Sequence, residues 1–484
     1  MTSDHTEMPI VVWLRQDLRL SDNPALAYAA ATGRAIIVLY LLDTDPAQRP
    51  MGGASLWWLN RSLAALAASL GAIGSRLILR RGEAEQVLRD VVAETGAREV
   101  VWNRLYEPAA IARDTALKAT LKAAGTEVKS FNAALLNEPW TVATGSGGPY
   151  KVFTPYWRAA RAKVGHQPAL PAPKALRAPD RWPACDDLAD WQLHPTQPDW
   201  SQGFGGWTPG EAGALENLNR FLDGPADDYA EGRDQPGKAG TSRLSPHLHF
   251  GEISPRQVWI AAHGASATGD LSDGARDKFL AEIGWREFNH HLLFHFPTLP
   301  TANFKPGFDS FAWRDDGEGL RAWQRGLTGY PMVDAGMREL WATGWMHNRV
   351  RMIAASFLIK HLLIHWREGE AWFWDTLLDA DLANNAAGWQ WTAGTGADAS
   401  PYFRIFNPFS QGEKFDPKGD YIRRWVPELA RLPDKVIHRP WEATAFELST
   451  AGVALGRTYP HPIVDHASAR ARALSTYARL KDDA

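Results

Sequence analysis

The period of the apolar residues changes part-way along the chain, and that change decides what the chain can fold into. Ile10-Val11-Val12-Trp13-Leu14 and Ala35-Ile36-Ile37-Val38-Leu39-Tyr40-Leu41-Leu42 are continuous apolar runs, with shorter ones at Arg76-Leu77-Ile78-Leu79 and Glu99-Val100-Val101-Trp102. Strands apolar on both faces must be covered on both faces, the situation of a parallel sheet layered with helices. The Ala/Leu-rich segments 54–70 and 84–94 supply such helices, and Ser21-Asp22-Asn23-Pro24 marks the start of the first with capping side chains and a proline in its opening turn. From about Gly210 strand-like runs stop, and residues 279–294, 320–325, 333–343, 347–366 and 371–382 carry helical periodicity. Between the two regimes lie the turn Thr144-Gly145-Ser146-Gly147-Gly148-Pro149 and prolines scattered over 168–198. The chain therefore reads as a parallel α/β domain over 1–135, a connection over 136–206 and an all-α domain over 207–484.

At 484 residues the chain exceeds one ordinary core. No G-x-G-x-x-G follows the first strand, which argues against a dinucleotide site of the usual kind. The single cysteine, Cys185, excludes an internal disulfide framework and suits a reducing compartment. Met1–Pro9 shows neither a basic nor an apolar signal segment, and apolar stretches such as 352–358 are too short to span a bilayer. A cytoplasmic protein with no membrane partner and no metal site is expected. The net charge of −3 argues against a general nucleic-acid binder, so a DNA partner would require a local basic patch.

Four stretches carry chemistry. Gly240-Thr241-Ser242-Arg243-Leu244-Ser245-Pro246 combines hydroxyls with a helix start, whose free N–H groups suit a phosphate. Glu282, Trp285 and Arg286 fall on one helical face, as do Trp345, Asn348 and Met352, with Arg351 three residues past Asn348. Asp381, Asn385 and Trp389 follow at i, i+4 and i+8, which on a helix puts a carboxylate, a carboxamide and an indole on one face, a lining suited to a polar aromatic ligand. Taken singly, each also reads as ordinary structure: an N-cap, a solvated Glu–Arg pair beside a core Trp, or a structural Asn or Met.

Together and in order, Thr241-Ser242-x-Leu244-Ser245-Pro246, Trp285-Arg286-Glu287-Phe288, Gly329-Tyr330-Pro331, Trp345-Met346-His347-Asn348-Arg349-x-Arg351-Met352 and Asp379-x-Asp381-x-x-x-Asn385 resemble the DNA photolyase and cryptochrome family. The resemblance is to class I cyclobutane pyrimidine dimer photolyases and spans about residues 10 to 480, opening on Trp13-Leu14-Arg15-Gln16-Asp17-Leu18-Arg19. It implies a Rossmann-like α/β N-terminal domain and an all-α C-terminal domain that binds FAD.

The resemblance also implies roles. Tyr229, Thr241, Ser242, Arg243, Leu244 and Ser245 would hold the FAD phosphates and ribityl chain. Asn385 would face flavin N5, Asp379 would pair with Arg351 beside the ring, and Asp381 would bond the pyrimidine edge, with Trp285 and Asn348 also lining the cofactor pocket. A carboxamide at N5 can bond a protonated flavin without adding charge. Photoexcited FADH⁻ would give an electron to a pyrimidine dimer flipped out of double-stranded DNA, the ring would split, and the electron would return. Glu282, Asn348 and Met352 would contact the dimer while Trp285 and Trp391 pack on its bases. Trp389, Trp366 and Trp313 match the family's electron-hopping chain, and Arg233, Arg349, Arg404 and Lys414 match positions that grip the DNA backbone.

For a second, antenna chromophore the implied choices are a deazaflavin or a folate. Tyr106-Glu107 is followed by Pro108-Ala109-Ala110, so the Asn-Glu pair of folate-binding members is missing, and Trp102 to Pro108 looks more like deazaflavin-binding members. The repair reading is that of a monomeric deoxyribodipyrimidine photolyase, and the alternative is a cryptochrome-type photoreceptor without repair. The retained Glu282, Trp285, Asn348, Met352 and Trp391 favour repair.

Overall fold

A computed structural model describes residues 8–165 and 167–482, so most of Met1–Pro9 lies outside the described residues. Five strands form one parallel sheet: β1 (Ile10–Leu14), β2 (Ile36–Asp43), β3 (Leu77–Gly82), β4 (Glu99–Asn103) and β5 (Glu127–Phe131). Their order is β3-β2-β1-β4-β5, with Trp13 of β1 level with Leu39 and Trp102. Helices Pro24–Ala31, Gly53–Ala72, Ala84–Thr95 and Pro108–Ala123 follow the first four strands. The first is capped as its sequence requires, with Asn23 Oδ1 accepting from the Leu26 N–H at 3.1 Å. β5, at one sheet edge, carries no apolar run, and only its Val128 is buried.

Residues 136–206 pack against both halves. Tyr156, Trp157 and Ala160, on the helix Phe153–Arg161, enter the core formed with helix Asp273–His295. There Gly284 admits the Trp157 ring, which an added Cβ would meet at 2.5 Å. Leu176, Trp191, Leu193 and Phe204 enter the core beneath the sheet.

The helical half departs from its sequence pattern in two places, and both matter for the site. The helix expected over 347–366 is two: Asn348–Ser356, continued by a π-turn at Phe357–His361, and then Trp366–Thr376. His347 and His365 cap them, each Nδ1 accepting from the N–H two residues on, at 3.2 and 3.1 Å. Every residue from Ile353 to Ile364 is buried, so periodicity could not reveal the break. Trp345 consequently precedes the helix that carries Asn348 and Met352. The helix expected over 371–382 ends at Thr376, and Asp381 instead caps Leu382–Ala393, its Oδ1 accepting from the Asn384 N–H at 2.7 Å. Asn385 and Trp389 share a helical face, while Asp381 stands at the helix mouth.

The two halves dock through polar contacts. Arg19 donates to the Gly251 carbonyl at 2.8 Å, and the Trp374 indole N–H donates to the Pro50 carbonyl at 2.8 Å. Gly251 has φ of +66°, and a Cβ there would stand 2.0 Å from the Gln16 carbonyl oxygen.

Candidate active site

Helix ends and the turns before them converge on one region. Arg351 makes a bidentate pair with Asp379, at 3.1 and 2.8 Å, and its Nε donates to the Met346 carbonyl at 2.7 Å. Asn385 is buried, and its Nδ2 donates to the Glu370 main-chain carbonyl at 3.0 Å and to Glu370 Oε1 at 2.8 Å. Both partners only accept, so the amide is oriented and its carbonyl oxygen is left as an acceptor. Glu370 is fixed in turn by Arg49 from the α/β half, at 2.7 and 2.9 Å.

At Asp381, Oδ1 takes both the N–H and the Nδ2 of Asn384 at 2.7 Å, while Oδ2 faces His290 Nε2 at 3.4 Å and His249 Nδ1 at 3.9 Å. Burial pushes this carboxyl up, but His290 and His249 outweigh it and hold the group well below the usual carboxylate range. Glu107 moves the other way, raised by burial and by the neighbouring Asp381 charge.

The Thr241–Ser245 turn places Arg243 at φ of +54°, with its guanidinium 4.2 Å from the Trp207 ring centroid and 4.9 Å from that of Trp345. Ser245 is the first residue of a five-residue helix, with Leu244 in the capping position, so its hydroxyl does not act as the cap. The hydroxyls of Thr241, Ser242 and Ser245 have no hydrogen-bond partner among the described residues. Tyr229 is buried, edge-on to Phe221 and Phe279.

A line of alternating charge crosses the rim: Glu282 pairs with Arg233, Arg233 approaches Asp234 at 4.0 Å, and Asp234 pairs with Arg349 at 2.7 Å. Arg349 also lies 4.4 Å over Phe415 and near Met352 Sδ, at 3.9 Å. Arg233 and Arg349 are thus held by carboxylates, whereas Arg404 and Lys414 are exposed, Arg404 next in sequence to the 60% exposed Phe403. Trp285 stacks on Phe153 with centroids 3.8 Å apart and planes at 7°. Asn348 is exposed at the start of its helix, while Met352 and Trp391 are partly buried. His347 beside Asn348 is buried, and burial pushes it down to about 4, so it stays neutral at ordinary pH.

Among the tryptophans, Trp389 lies over Gly369, three residues after Trp366 on the same helix. The His365 ring contacts both Trp366 and Trp313 in tilted arrangements, with centroids 5.6 and 5.0 Å away.

Glu370, Asp234, Phe153, His249 and His290 were not singled out from the sequence. A lone Glu or His on a helix has the same local signature facing solvent as facing a pocket, and no motif spacing marked them.

Two family models match this chain: DNA photolyase over residues 10–174, and the FAD binding domain of DNA photolyase over residues 279–479. A deoxyribodipyrimidine photo-lyase of Agrobacterium fabrum is 57% identical over 98% of both chains, and cryptochrome-1 of Arabidopsis thaliana is 40% identical over 96% of this chain and 69% of its own. The crystal structure of a bacterial class III photolyase from Agrobacterium tumefaciens superposes with a TM-score of 0.96 at 55% identity, covering 100% of this chain and 99% of that one. An archaeal photolyase from Sulfolobus tokodaii, solved with two FAD molecules, gives 0.81 at 30% identity over 98% of this chain and 100% of that one. Fold and site together define a two-domain flavoprotein whose FAD-binding half is helical. The chain belongs to the DNA photolyase family. Its residues fit the flavin: unpartnered hydroxyls at Thr241, Ser242 and Ser245, an oriented carbonyl at Asn385, and paired charges at Arg351–Asp379 and Asp381.

Proposed function

We propose that this protein is a light-dependent deoxyribodipyrimidine photolyase that splits cyclobutane pyrimidine dimers in double-stranded DNA. The observation that carries the reading is the charged line that links Glu282 through Arg233 and Asp234 to Arg349 beside Met352, with Trp285 stacked on Phe153 one turn from Glu282 and His347 buried as a helix cap. Reduced FAD, when bound, supplies the light absorption and the electron. The chain does the rest. Thr241, Ser242 and Ser245 hold phosphate and ribityl oxygens, and Arg351–Asp379 and Asp381 fix the ring. Asn385 offers an acceptor to a protonated ring nitrogen. Glu282 bonds the flipped dimer, and Trp285 and Trp391 cover its bases and exclude water. Cyclobutane splitting needs no proton transfer to the lesion, and this rim supplies no general acid at Asn348 or Met352.

The exposed Arg404 and Lys414 take DNA phosphates, and Arg233 and Arg349 join them when phosphate competes with Glu282 and Asp234. Trp389, Trp366 and Trp313 conduct electrons from the surface to an oxidised flavin. The α/β domain carries an antenna chromophore, a deazaflavin or a folate; the two FAD molecules of the archaeal photolyase support a second chromophore site. We place the protein in the cytoplasm as a monomer, with residues 1–135 as the antenna domain and 207–484 as the catalytic one. Illumination of the reduced protein with oligonucleotides carrying one defined lesion tests the assignment.

A further inference from the structure

His290 sits on helix Asp273–His295 with both ring nitrogens against acceptors. Its Nδ1 lies 3.0 Å from the Arg286 main-chain oxygen, four residues back, and Nε2 lies 3.4 Å from Asp381 Oδ2. A carbonyl oxygen can only accept, so Nδ1 carries hydrogen. A neutral imidazole then has a bare Nε2, whose lone pair would face a carboxylate. Protonation of Nε2 removes that clash, because His290 and His249 keep Asp381 ionised. The pair then holds one proton more than a neutral histidine beside a carboxylate.

The surroundings are closed. Asp381 Oδ1 is taken by Asn384, His249 Nδ1 stands 3.9 Å from Oδ2, and Glu107 of the α/β half lies close enough for its charge to act on Asp381. Gln16 bonds Glu107, and on the far side of His290 lie Glu287, which accepts from the Leu136 and Asn137 N–H groups, and Arg286, which donates to the Ala134 carbonyl. His290 and Asp381 are both buried, so water screens the extra proton weakly.

We propose that His290 and Asp381 form a proton-holding pair that sets the charge of the cofactor pocket, with His290 a positioning residue acting through Asp381. The proposal rests on the reading above, which puts Asp381 at the pyrimidine edge of the flavin. A reduced flavin carries negative charge at that edge, and a fixed proton there favours the reduced form. His249 and Glu107 face the same carboxylate, so the charge is shared between the two halves of the molecule.

Two measurements on the full chain test this. With ¹⁵N-histidine labelling and His290 assigned by His290→Gln, both ring nitrogens should report N–H at pH 8, in protein with or without flavin. A bare nitrogen at His290 that persists from pH 6 to 8 overturns the pair. In protein with its flavin, at a fixed applied potential and pH 7.5, the reduced-to-oxidised ratio should fall about tenfold or more in His290→Gln. It should recover in His290→Lys, which restores a cation without the imidazole. A ratio unchanged in His290→Gln overturns the proposal. Protein that binds no flavin would overturn the functional reading, while the nitrogen spectra would still decide the pair.

Discussion

Asn385 donates to Glu370 at 2.8 Å, and Glu370 is itself clamped by Arg49 from the other half of the molecule. This contact decides which end of the Asn385 amide is left as an acceptor, and it ties the α/β domain to the candidate site. Glu370→Gln gives the amide a partner that can also donate, so Asn385 can turn over. The lost charge-assisted bond is worth about 1.5–3 kcal/mol. We predict that the reduced flavin reoxidises in air about tenfold faster in this variant, followed by absorbance. An unchanged rate would mean that Glu370 does not orient Asn385.

Gly369 leaves room for Trp389: a Cβ there would lie 2.0 Å from the indole. Gly369→Ala should displace the ring and cost about 1–3 kcal/mol, read as a lower urea midpoint. Trp389→Phe keeps an aromatic ring at this position but removes the indole, and should slow photoreduction of the oxidised flavin at least tenfold. Repair by chemically reduced protein should be unaffected, because that electron passes directly from flavin to dimer. Loss of repair in pre-reduced Trp389→Phe would refute this division of roles.

Much of this architecture can be read from the residues, and the limits have physical causes. β1, β2 and β4 announce themselves through long buried apolar runs and β3, at one sheet edge, through Leu77-Ile78-Leu79, whereas β5 at the other edge buries only Val128 and shows no such run. The breaks before Trp366 and Leu382 are hidden because residues 353–364 and 376–383 are buried throughout. Arg351 and Asp379 meet across 28 residues, and only the family resemblance suggested that pairing. Glu370 and His290 had no such guide, since their importance lies in partners far away in sequence: Arg49 is 321 residues from Glu370.

Arg404 is exposed, and Lys360, buried below it, donates to its main-chain carbonyl at 2.9 Å, which fixes the turn that presents it. Arg404→Ala should weaken binding to damaged and undamaged duplex alike and flatten the slope of log affinity against log salt by about 1. Arg233→Ala should flatten it less, because Glu282 already neutralises that guanidinium. A loss confined to damaged DNA in Arg404→Ala would show a lesion contact instead of a phosphate contact.

Glu339 sits buried under the Asn348 helix, accepting from the Tyr421 hydroxyl at 2.6 Å, and burial pushes its carboxyl up from 4.5 to about 7. Between those values the folded protein holds a proton that the unfolded chain has released. The stability this group contributes is therefore complete below pH 4.5 and is lost as pH rises through about 7. The loss is of order 3 kcal/mol. Glu339→Gln should flatten the fall in urea midpoint between pH 5 and 8, and a variant that falls as steeply as the parent would remove Glu339 as its source.

Repair of a cyclobutane dimer asks of the protein an electron out and an electron back, whereas a (6-4) photoproduct also needs a proton donor at the lesion. The rim offers Asn348 and Met352, and the adjacent His347 caps its helix from inside the core. The decisive measurement is illumination of reduced protein with two oligonucleotides, one carrying a cyclobutane thymine dimer and one a (6-4) photoproduct, resolved by chromatography. The geometry predicts light-dependent restoration of the first and none of the second. Efficient (6-4) repair would contradict the substrate assignment, and failure on both would contradict repair itself and favour a photoreceptor.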